Sequence, residues 1–160
     1  MKPGRLPLMG LLTALALIAG YVEVLIPIPL GIPGVKLGLA NLVVVWALYQ
    51  LRPREALLVN VVRIFLVGAL FGNLSMTLYS LAGGLLSFAA MYLAKRCGGS
   101  IWGVSVVGGV MHNVGQLLVA MLALETGKLI YYGPVLLLSG LVTGFLIGLV
   151  AQEVERRVRL

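Results

Sequence analysis

Residues 101–124, IWGVSVVGGVMHNVGQLLVAMLAL, are the stretch of sequence that decides the fold. The run contains no Asp, Glu, Lys or Arg, and a helix over it would exceed the roughly 30 Å thickness of the hydrocarbon core of a bilayer. It also holds the single histidine of the chain, His112, with Asn113 next to it and Gln116 one turn further along. The apolar length predicts a transmembrane helix, and the three polar side chains raise the question of what they bind.

The rest of the chain repeats this apolar pattern. Of its 160 residues, 61% are hydrophobic and 11% are charged, whereas roughly 25% are charged in a soluble domain. Short connections separate the apolar runs, which lie at 6–26, 37–51, 55–72, 75–94, 101–124 and 129–151. We therefore expect an all-α membrane protein in which residues 1–160 form a single integral membrane domain of six antiparallel transmembrane helices.

The positive charges indicate how the chain crosses the membrane. The sequence has 12 Lys and Arg and 5 acidic residues, which gives a net charge of +7. With a cytoplasmic N-terminus, the inner side receives Lys2, Arg5, Arg52, Arg54, Lys95, Arg96, Arg156, Arg157 and Arg159. The outer side receives Lys36 and Lys128, and Arg63 lies within the third run. This positive-inside bias predicts a multi-pass protein of the cell (cytoplasmic) membrane with both termini in the cytoplasm, and it explains the charge without a nucleic-acid partner.

Small residues recur at the spacing of a helix face. They form two sets, one in the sixth run and one in the fourth: Gly140, Gly144 and Gly148, and Ser80, Gly83, Gly84 and Ser87. In lipid, small side chains let two helix backbones approach closely and gain van der Waals contact. We interpret both sets as helix-packing surfaces.

Polar side chains inside the apolar runs are candidates for a binding site, because a charge at the bilayer centre costs about 2.5–3.5 kcal/mol. Arg63 lies near the middle of the third run, with Asn60 one turn earlier. On the fifth run, one helix face carries Ser105, Gly109, His112 and Gln116, at i, i+4, i+7 and i+11. By the predicted topology, most of the polar residues fall in the outer half of the membrane.

A cavity that opens outward would collect these side chains, so we predict a substrate pocket there. Its predicted lining is Glu23, Lys36, Asn41, Arg63, Asn73, Tyr79, His112, Asn113 and Gln116. Because Lys36 and Arg63 outnumber Glu23, the pocket favours a ligand with a carboxylate or phosphate group. The alternative is an interhelical hydrogen-bond network in which Glu23 neutralises Arg63 and the amides bond to backbone.

The sequence lacks the motifs of several enzyme classes. It has no GxxxxGK[ST] loop for nucleotide phosphates and no aspartate for an aspartate-rich Mg²⁺-diphosphate site. Its one histidine and one cysteine, predicted in different leaflets, make neither a zinc site nor a nucleophile pair. We therefore expect a protein that is not an enzyme and has no metal or cofactor. Transport against a gradient would need an ion gradient or a partner protein.

Four stretches carry a resemblance to a known family: IPGVKLGLANLVV (32–44), EALLVNVVRIFLVGALFGN (55–73), YSLAGGLLS (79–87) and VGGVMHNVGQLLVA (107–120). With their specific PGxKLGLAN and HNxGQ segments, they resemble the small membrane family called Gx transporter, also labelled heptaprenyl diphosphate synthase component I. That family is similar to the six-helix S components of energy-coupling factor (ECF) transporters. The resemblance implies an S-component-like bundle that captures a micronutrient from outside the cell.

The resemblance also implies partners. An S component works with a transmembrane coupling subunit and two ATPases, in agreement with the missing nucleotide-binding loop. S components have small residues on the first helix, often in an AxxxA pattern, where that helix meets the coupling subunit. The matching pairs here are Gly10 with Ala14 and Ala16 with Gly20, although such pairs also serve internal packing.

The leading hypothesis is a lipid-embedded, S-component-like subunit of an ATP-driven ECF importer, which binds a small anionic or amphipathic micronutrient. In this hypothesis the outward loop from Pro27 to Lys36 closes over the site as a lid; the alternative for this loop is that it is a plain connector. The alternative is a non-catalytic membrane accessory subunit of polyprenyl diphosphate or quinone synthesis, in which the polar cluster serves only folding. A transporter driven by an ion gradient alone is a third possibility, with Glu23 as its intramembrane acid.

Overall fold

The structure is a computed structural model that describes residues 5–25 and 38–158. These residues form α-helices α1 (Arg5–Leu25), α2 (Leu39–Gln50), α3 (Pro53–Phe71), α4 (Leu74–Arg96), α5 (Ile101–Ala123) and α6 (Gly133–Arg157). A 3₁₀ helix over Gly127–Tyr132 precedes α6. Since the described residues contain no β-strand, the predicted all-α fold is confirmed for this part of the chain.

Four helical stretches of the described chain are long and apolar enough to cross a membrane. They are α1, α4, α5 and the continuous stretch Gly127–Arg157, which includes α6. Helix α2 is apolar but has 12 residues, and the 19-residue α3 carries Arg54, Glu55 and Arg63. Length and composition thus indicate a helical, multi-pass membrane protein.

The helices begin and end within two residues of the predicted bounds, except at both ends of α6. Helix α3 begins at Pro53 instead of residue 55, because proline fits the first turn of a helix. Helix α6 begins at Gly133 instead of residue 129, because the 3₁₀ helix occupies the preceding residues. It continues to Arg157 instead of residue 151, where Arg157 pairs with Glu153 at 2.6 Å on the adjacent turn.

The helices alternate in direction, which defines two ends of the bundle. At one end α1, α3 and α5 begin and α2, α4 and α6 end, and there Arg5 bonds to Glu55 at 3.0 Å. We call this the basic end, because it carries Arg5, Arg52, Arg54, Lys95, Arg96, Arg156 and Arg157. The opposite end, where α2, α4 and α6 begin, is the pocket end. The halves of the bundle nearest to them are the basic half and the pocket half.

The apolar core lies in the basic half. Its fully buried side chains include Leu12, Leu48, Val59, Met91 and Val104, which come from α1 to α5 in that order. Each lies toward the basic end of its helix. In lipid, such a core stabilises the bundle through van der Waals packing more than through removal of apolar surface from water.

Helix α5 packs against α4 on one side and α6 on the other, and glycines make both contacts close. A methyl group on Gly148 of α6 would lie 2.5 Å from the Cα of Trp102. A methyl group on Gly83 of α4 would lie 2.8 Å from the carbonyl oxygen of His112. These distances confirm the predicted packing role of the two glycines, and they fix the rotation of α5 that brings His112 to the interior.

Candidate functional site

A cavity of about 300 Å³ lies in the pocket half, and all six helices contribute to its lining. We call it the first cavity. It brings together five of the predicted site residues: Glu23, Asn41, Arg63, His112 and Asn113. Thr77, Ser80 and Thr143 also line it. Polar side chains distant in sequence therefore meet at one place, as the predicted pocket requires.

Arg63 is the buried charge of the first cavity, with 9% of its surface exposed. Its Nε donates to Oδ1 of Asn60 at 3.1 Å, and Nδ2 of Asn60 donates to the Gly84 carbonyl oxygen on α4 at 3.1 Å. Within the described residues, the two terminal nitrogens of Arg63 have no hydrogen-bond partner and no carboxylate within 4.0 Å. Asn60 thus holds the guanidinium in place, and the other four N–H groups of Arg63 have no acceptor among the described residues.

Glu23 lines the same cavity but caps a helix. Its Oε1 accepts hydrogen bonds from the backbone N–H groups of Gly38 at 2.5 Å and Leu39 at 3.0 Å. Gly38 has φ +79°, in the left-handed region that favours glycine. The carboxylate stabilises the positive end of the α2 dipole. Glu23 acts on Arg63 electrostatically across the cavity, but the described residues contain no ion pair between the two.

Asn113 and His112 both line the first cavity from α5 but make different contacts. The amide nitrogen of Asn113 donates to the Leu136 carbonyl oxygen at 2.7 Å, and Ser139 Oγ lies 3.4 Å from it. This nitrogen therefore ties α5 to α6. His112 packs closely against Gly83 of α4. Asn113 therefore helps to hold α5 against α6 in addition to lining the cavity.

A second cavity, of about 590 Å³, adjoins the first at the pocket end. It is lined by the predicted residues Asn73, Tyr79 and Gln116, and Met76 and Ser80 line both cavities. Oδ1 of Asn73 accepts from the Met76 N–H at 2.8 Å, so Asn73 also caps α4. The structure thus divides the predicted lining between two adjoining cavities.

Lys36, the proposed lid and Ser105 are the predicted residues still to be considered. Lys36 and the proposed lid from Pro27 to Lys36 fall outside the described residues. Ser105, predicted on the polar face of α5, is fully buried beside Gly148 of α6. That face of α5 therefore serves helix packing at Ser105, the first cavity at His112 and the second cavity at Gln116.

The hydroxyl groups of the first cavity were not predicted from the sequence. Thr143 donates to the Ser139 carbonyl oxygen at 2.8 Å, and Thr77 donates to that of Asn73 at 2.9 Å. Serine and threonine commonly make such bonds within their own helix. Because serine and threonine residues with such bonds are frequent in apolar helices, the sequence does not single these hydroxyl groups out. Only the three-dimensional contacts identify them as cavity lining.

The small residues of α1 face two directions. Gly10 and Ala14 are exposed, and a methyl group on Gly10 would meet no atom within 4 Å. Ala16 and Gly20 are buried, and a methyl group on Gly20 would lie 3.0 Å from Val67 of α3. In this bundle, Gly10 and Ala14 are the pair available to a partner, whereas Ala16 and Gly20 pack internally.

The fold and the cavities define the class of the protein: a multi-pass membrane protein whose described residues are helical and surround a cavity with a buried arginine. Within this class, the chain belongs to the family described as heptaprenyl diphosphate synthase component I, whose family model matches residues 12–154. The match includes every described residue of both cavities. Comparison with curated proteins and with solved structures gives no significant match.

Proposed function

We propose that this protein is the substrate-binding membrane subunit of an ATP-driven importer of the energy-coupling factor type. Its substrate carries an anionic group that pairs with Arg63 in the first cavity. The protein crosses the cell membrane with six helices and has both termini in the cytoplasm. It is not an enzyme, and its partners supply the energy for transport.

The geometry of Arg63 is the observation that carries this proposal. A buried guanidinium is unfavourable in a membrane, at about 2.5–3.5 kcal/mol near the bilayer centre. The side-chain carbonyl oxygen of Asn60 accepts a hydrogen bond from one N–H group of Arg63. The other four N–H groups have no acceptor among the described residues. A carboxylate or phosphate can accept two parallel hydrogen bonds from such a planar group. The bound anion would thereby pair directly with a guanidinium that no carboxylate among the described residues contacts.

The direction of binding follows from the charges at the two ends. Cytoplasmic ends of membrane helices are enriched in Lys and Arg, which supports a cytoplasmic position for the basic end. Both cavities then lie in the outer half of the membrane. A ligand would enter them from outside the cell, as import requires.

The proposed energy source follows from the sequence and from α1. The chain has no P-loop motif, so an ATPase would have to be a separate subunit. The exposed pair Gly10 and Ala14 gives a coupling subunit a surface where two helix backbones can approach closely. We propose this pair as the docking contact.

Purification of the tagged protein from its own membranes tests the partners. We expect ATPase subunits and a membrane coupling subunit to co-purify. The variant Ala14→Leu should lose them, whereas Ala89→Leu, an equally exposed position on α4, should retain them. Equal recovery of the partners from both variants would contradict docking through α1, and absence of ATPase subunits from the wild-type preparation would contradict the importer.

The family description favours a second candidate function. A component of a heptaprenyl diphosphate synthase could use the Arg63 cavity for a diphosphate group, as a non-catalytic membrane accessory subunit. In that case a prenyl diphosphate synthase should co-purify with the chain, and addition of the chain should change the product length of the synthase. Failure of both tests would eliminate this candidate.

A further inference from the structure

We propose that one amphipathic anion occupies both cavities, with its charged group at Arg63 in the first cavity and its apolar chain in the second. This inference rests on the proposed function, because it assumes that the first cavity binds an anion. It adds the class of ligand. The site would take a molecule with a single phosphate or carboxylate head and a hydrocarbon tail, in preference to a small polar anion.

The position of the charges assigns the two parts of the ligand. The described lining of the second cavity carries no ionised side chain, whereas Arg63 lies in the first. The second cavity is lined mainly by apolar side chains, among them Leu117, Ala120, Leu124 and Leu136. An anionic group therefore gains its interactions in the first cavity, and a hydrocarbon chain is compatible with the second.

The two cavities follow the same pair of helices. On α5, His112 lines the first cavity and Gln116, one turn later, lines the second. On α4, Met76 and Ser80 line both. The wall between the two cavities thus includes the short side chain of Ser80 and the unbranched side chain of Met76, which adapts its shape easily. A ligand that extends along the α4–α5 contact would pass from the first cavity into the second.

The sizes of the cavities agree with this division. At about 300 Å³ and 590 Å³, each lies near or within the range of about 300–1,000 Å³ typical of small-molecule sites. The apolar cavity is the larger. A ligand that filled only the first cavity would make no contact with the apolar surface of the second cavity.

Binding of two water-soluble probes tests the inference, with the protein in nanodiscs of zwitterionic lipid. Methyl phosphate has only the head, and n-butyl phosphate adds three methylene groups. Burial of a methylene group raises affinity about threefold to fourfold, so n-butyl phosphate should bind at least about tenfold more tightly. Ala120→Phe, which places a phenyl ring in the second cavity, should reduce this difference and leave methyl phosphate binding unchanged, and Ala89→Phe should have no effect.

A second pair of variants covers the case in which Ala120→Phe does not fold. Leu124 lines the second cavity at 62% exposure, and Leu122 lines neither cavity at 78% exposure. Both positions are exposed enough to accept glutamine. Leu124→Gln should weaken n-butyl phosphate binding by about threefold to tenfold, and Leu122→Gln should not.

The outcomes separate this inference from the proposed function. If both probes bind equally and the variants of the second cavity change nothing, the amphipathic ligand is wrong. The anion site then stands, provided that Arg63→Gln weakens binding of both probes at least about tenfold. If neither probe shows binding that depends on Arg63, both proposals are wrong.

A further arm of the same titration identifies the source of the ligand. If n-butyl phosphate shows the expected preference, an anionic phospholipid is added to the nanodiscs. Competition by the phospholipid would assign the site to a lipid of the bilayer. Lack of competition would assign it to an amphipathic solute that enters from the aqueous phase.

Discussion

The two halves of this bundle differ in what fills the space between the helices. In the basic half, apolar side chains such as Leu12, Leu48 and Met91 leave no surface exposed. In the pocket half, the same helices surround two cavities and a buried arginine. The difference shows that large apolar side chains fill the space between the helices in one half, whereas the other half retains open space between them.

The bonds between helices differ between the halves as well. In the basic half they link helix ends directly: Gln50 donates to Glu155 at 2.6 Å, and Lys95 donates to the Leu48 carbonyl oxygen at 2.7 Å. Around the first cavity, two bonds between helices also serve the cavity itself. Glu23 accepts from the Gly38 N–H and lines the cavity. Asn60 bonds to Gly84 of α4 and also holds Arg63. Changes in the basic half should therefore affect stability, and changes around Arg63 should affect ligand binding.

The largest expected effect on stability is that of a cavity made in the basic half. Met91→Ala removes a fully buried side chain and should lower the free energy of unfolding by about 2–5 kcal/mol. Thermal unfolding in nanodiscs measures this loss. In protein that is still folded, the affinity for n-butyl phosphate should stay within about twofold of the wild type, and a larger change would contradict the separation of the two halves.

The next effect is a loss of binding without a loss of stability. Arg63→Gln removes a buried charge and the hydrogen bonds that it offers to an anion. Hydrogen bonds to charged groups contribute about 1.5–3 kcal/mol, so affinity for n-butyl phosphate should fall about 10-fold to 150-fold. The unfolding temperature should be unchanged or higher. Parallel losses of stability and affinity would instead indicate that Arg63 serves the fold.

Two substitutions at Asn60 sharpen the role of Arg63. Asn60→Ala removes the acceptor that holds the guanidinium and should lower both anion affinity and stability, the latter by about 1–3 kcal/mol. Asn60→Asp keeps an acceptor but places a negative charge beside Arg63. It should weaken anion binding at least as much as alanine does, because the new carboxylate competes with the ligand. Anion binding by Asn60→Asp at the wild-type level would contradict a positioning role for Asn60.

The smallest effect is expected at the α5–α6 contact. Asn113→Ala removes one buried hydrogen bond, from its amide nitrogen to the Leu136 carbonyl oxygen. Loss of such a bond should lower the free energy of unfolding by about 0.5–1.5 kcal/mol. The two helices should stay packed, because the glycine contacts between them are retained. Anion affinity should change by less than about threefold. A loss of affinity as large as that of Arg63→Gln would show that Asn113 contacts the ligand directly.

Much of the fold follows from the sequence, because apolar run length and glycine spacing depend on local pattern. The predicted runs match the described helices within two residues except at the two ends of α6, and Gly83 and Gly148 lie at the close contacts that their spacing indicates. The buried charge at Arg63 is also evident, because an arginine far from both ends of an apolar run almost always faces the interior of a helix bundle.

The parts that the sequence did not predict depend on how the helices are rotated against one another. Nothing in the sequence pairs Glu23 with the start of α2 or Asn113 with the Leu136 carbonyl oxygen. The division of the polar residues between two cavities also depends on how the helices are rotated against one another. Gln116 and His112 share a helix face but line different cavities, because α4 packs across that face at Gly83.

The central claim is that Arg63 holds an anionic ligand in the pocket half, and native mass spectrometry tests it most directly. The wild type, Arg63→Gln and the exposed control Arg54→Gln would each be extracted gently from their own membranes and analysed for retained small molecules. We predict that the wild type and Arg54→Gln retain the same anionic molecule and that Arg63→Gln loses it. Retention of that molecule by Arg63→Gln, or a wild-type protein without any bound anion, would contradict the account.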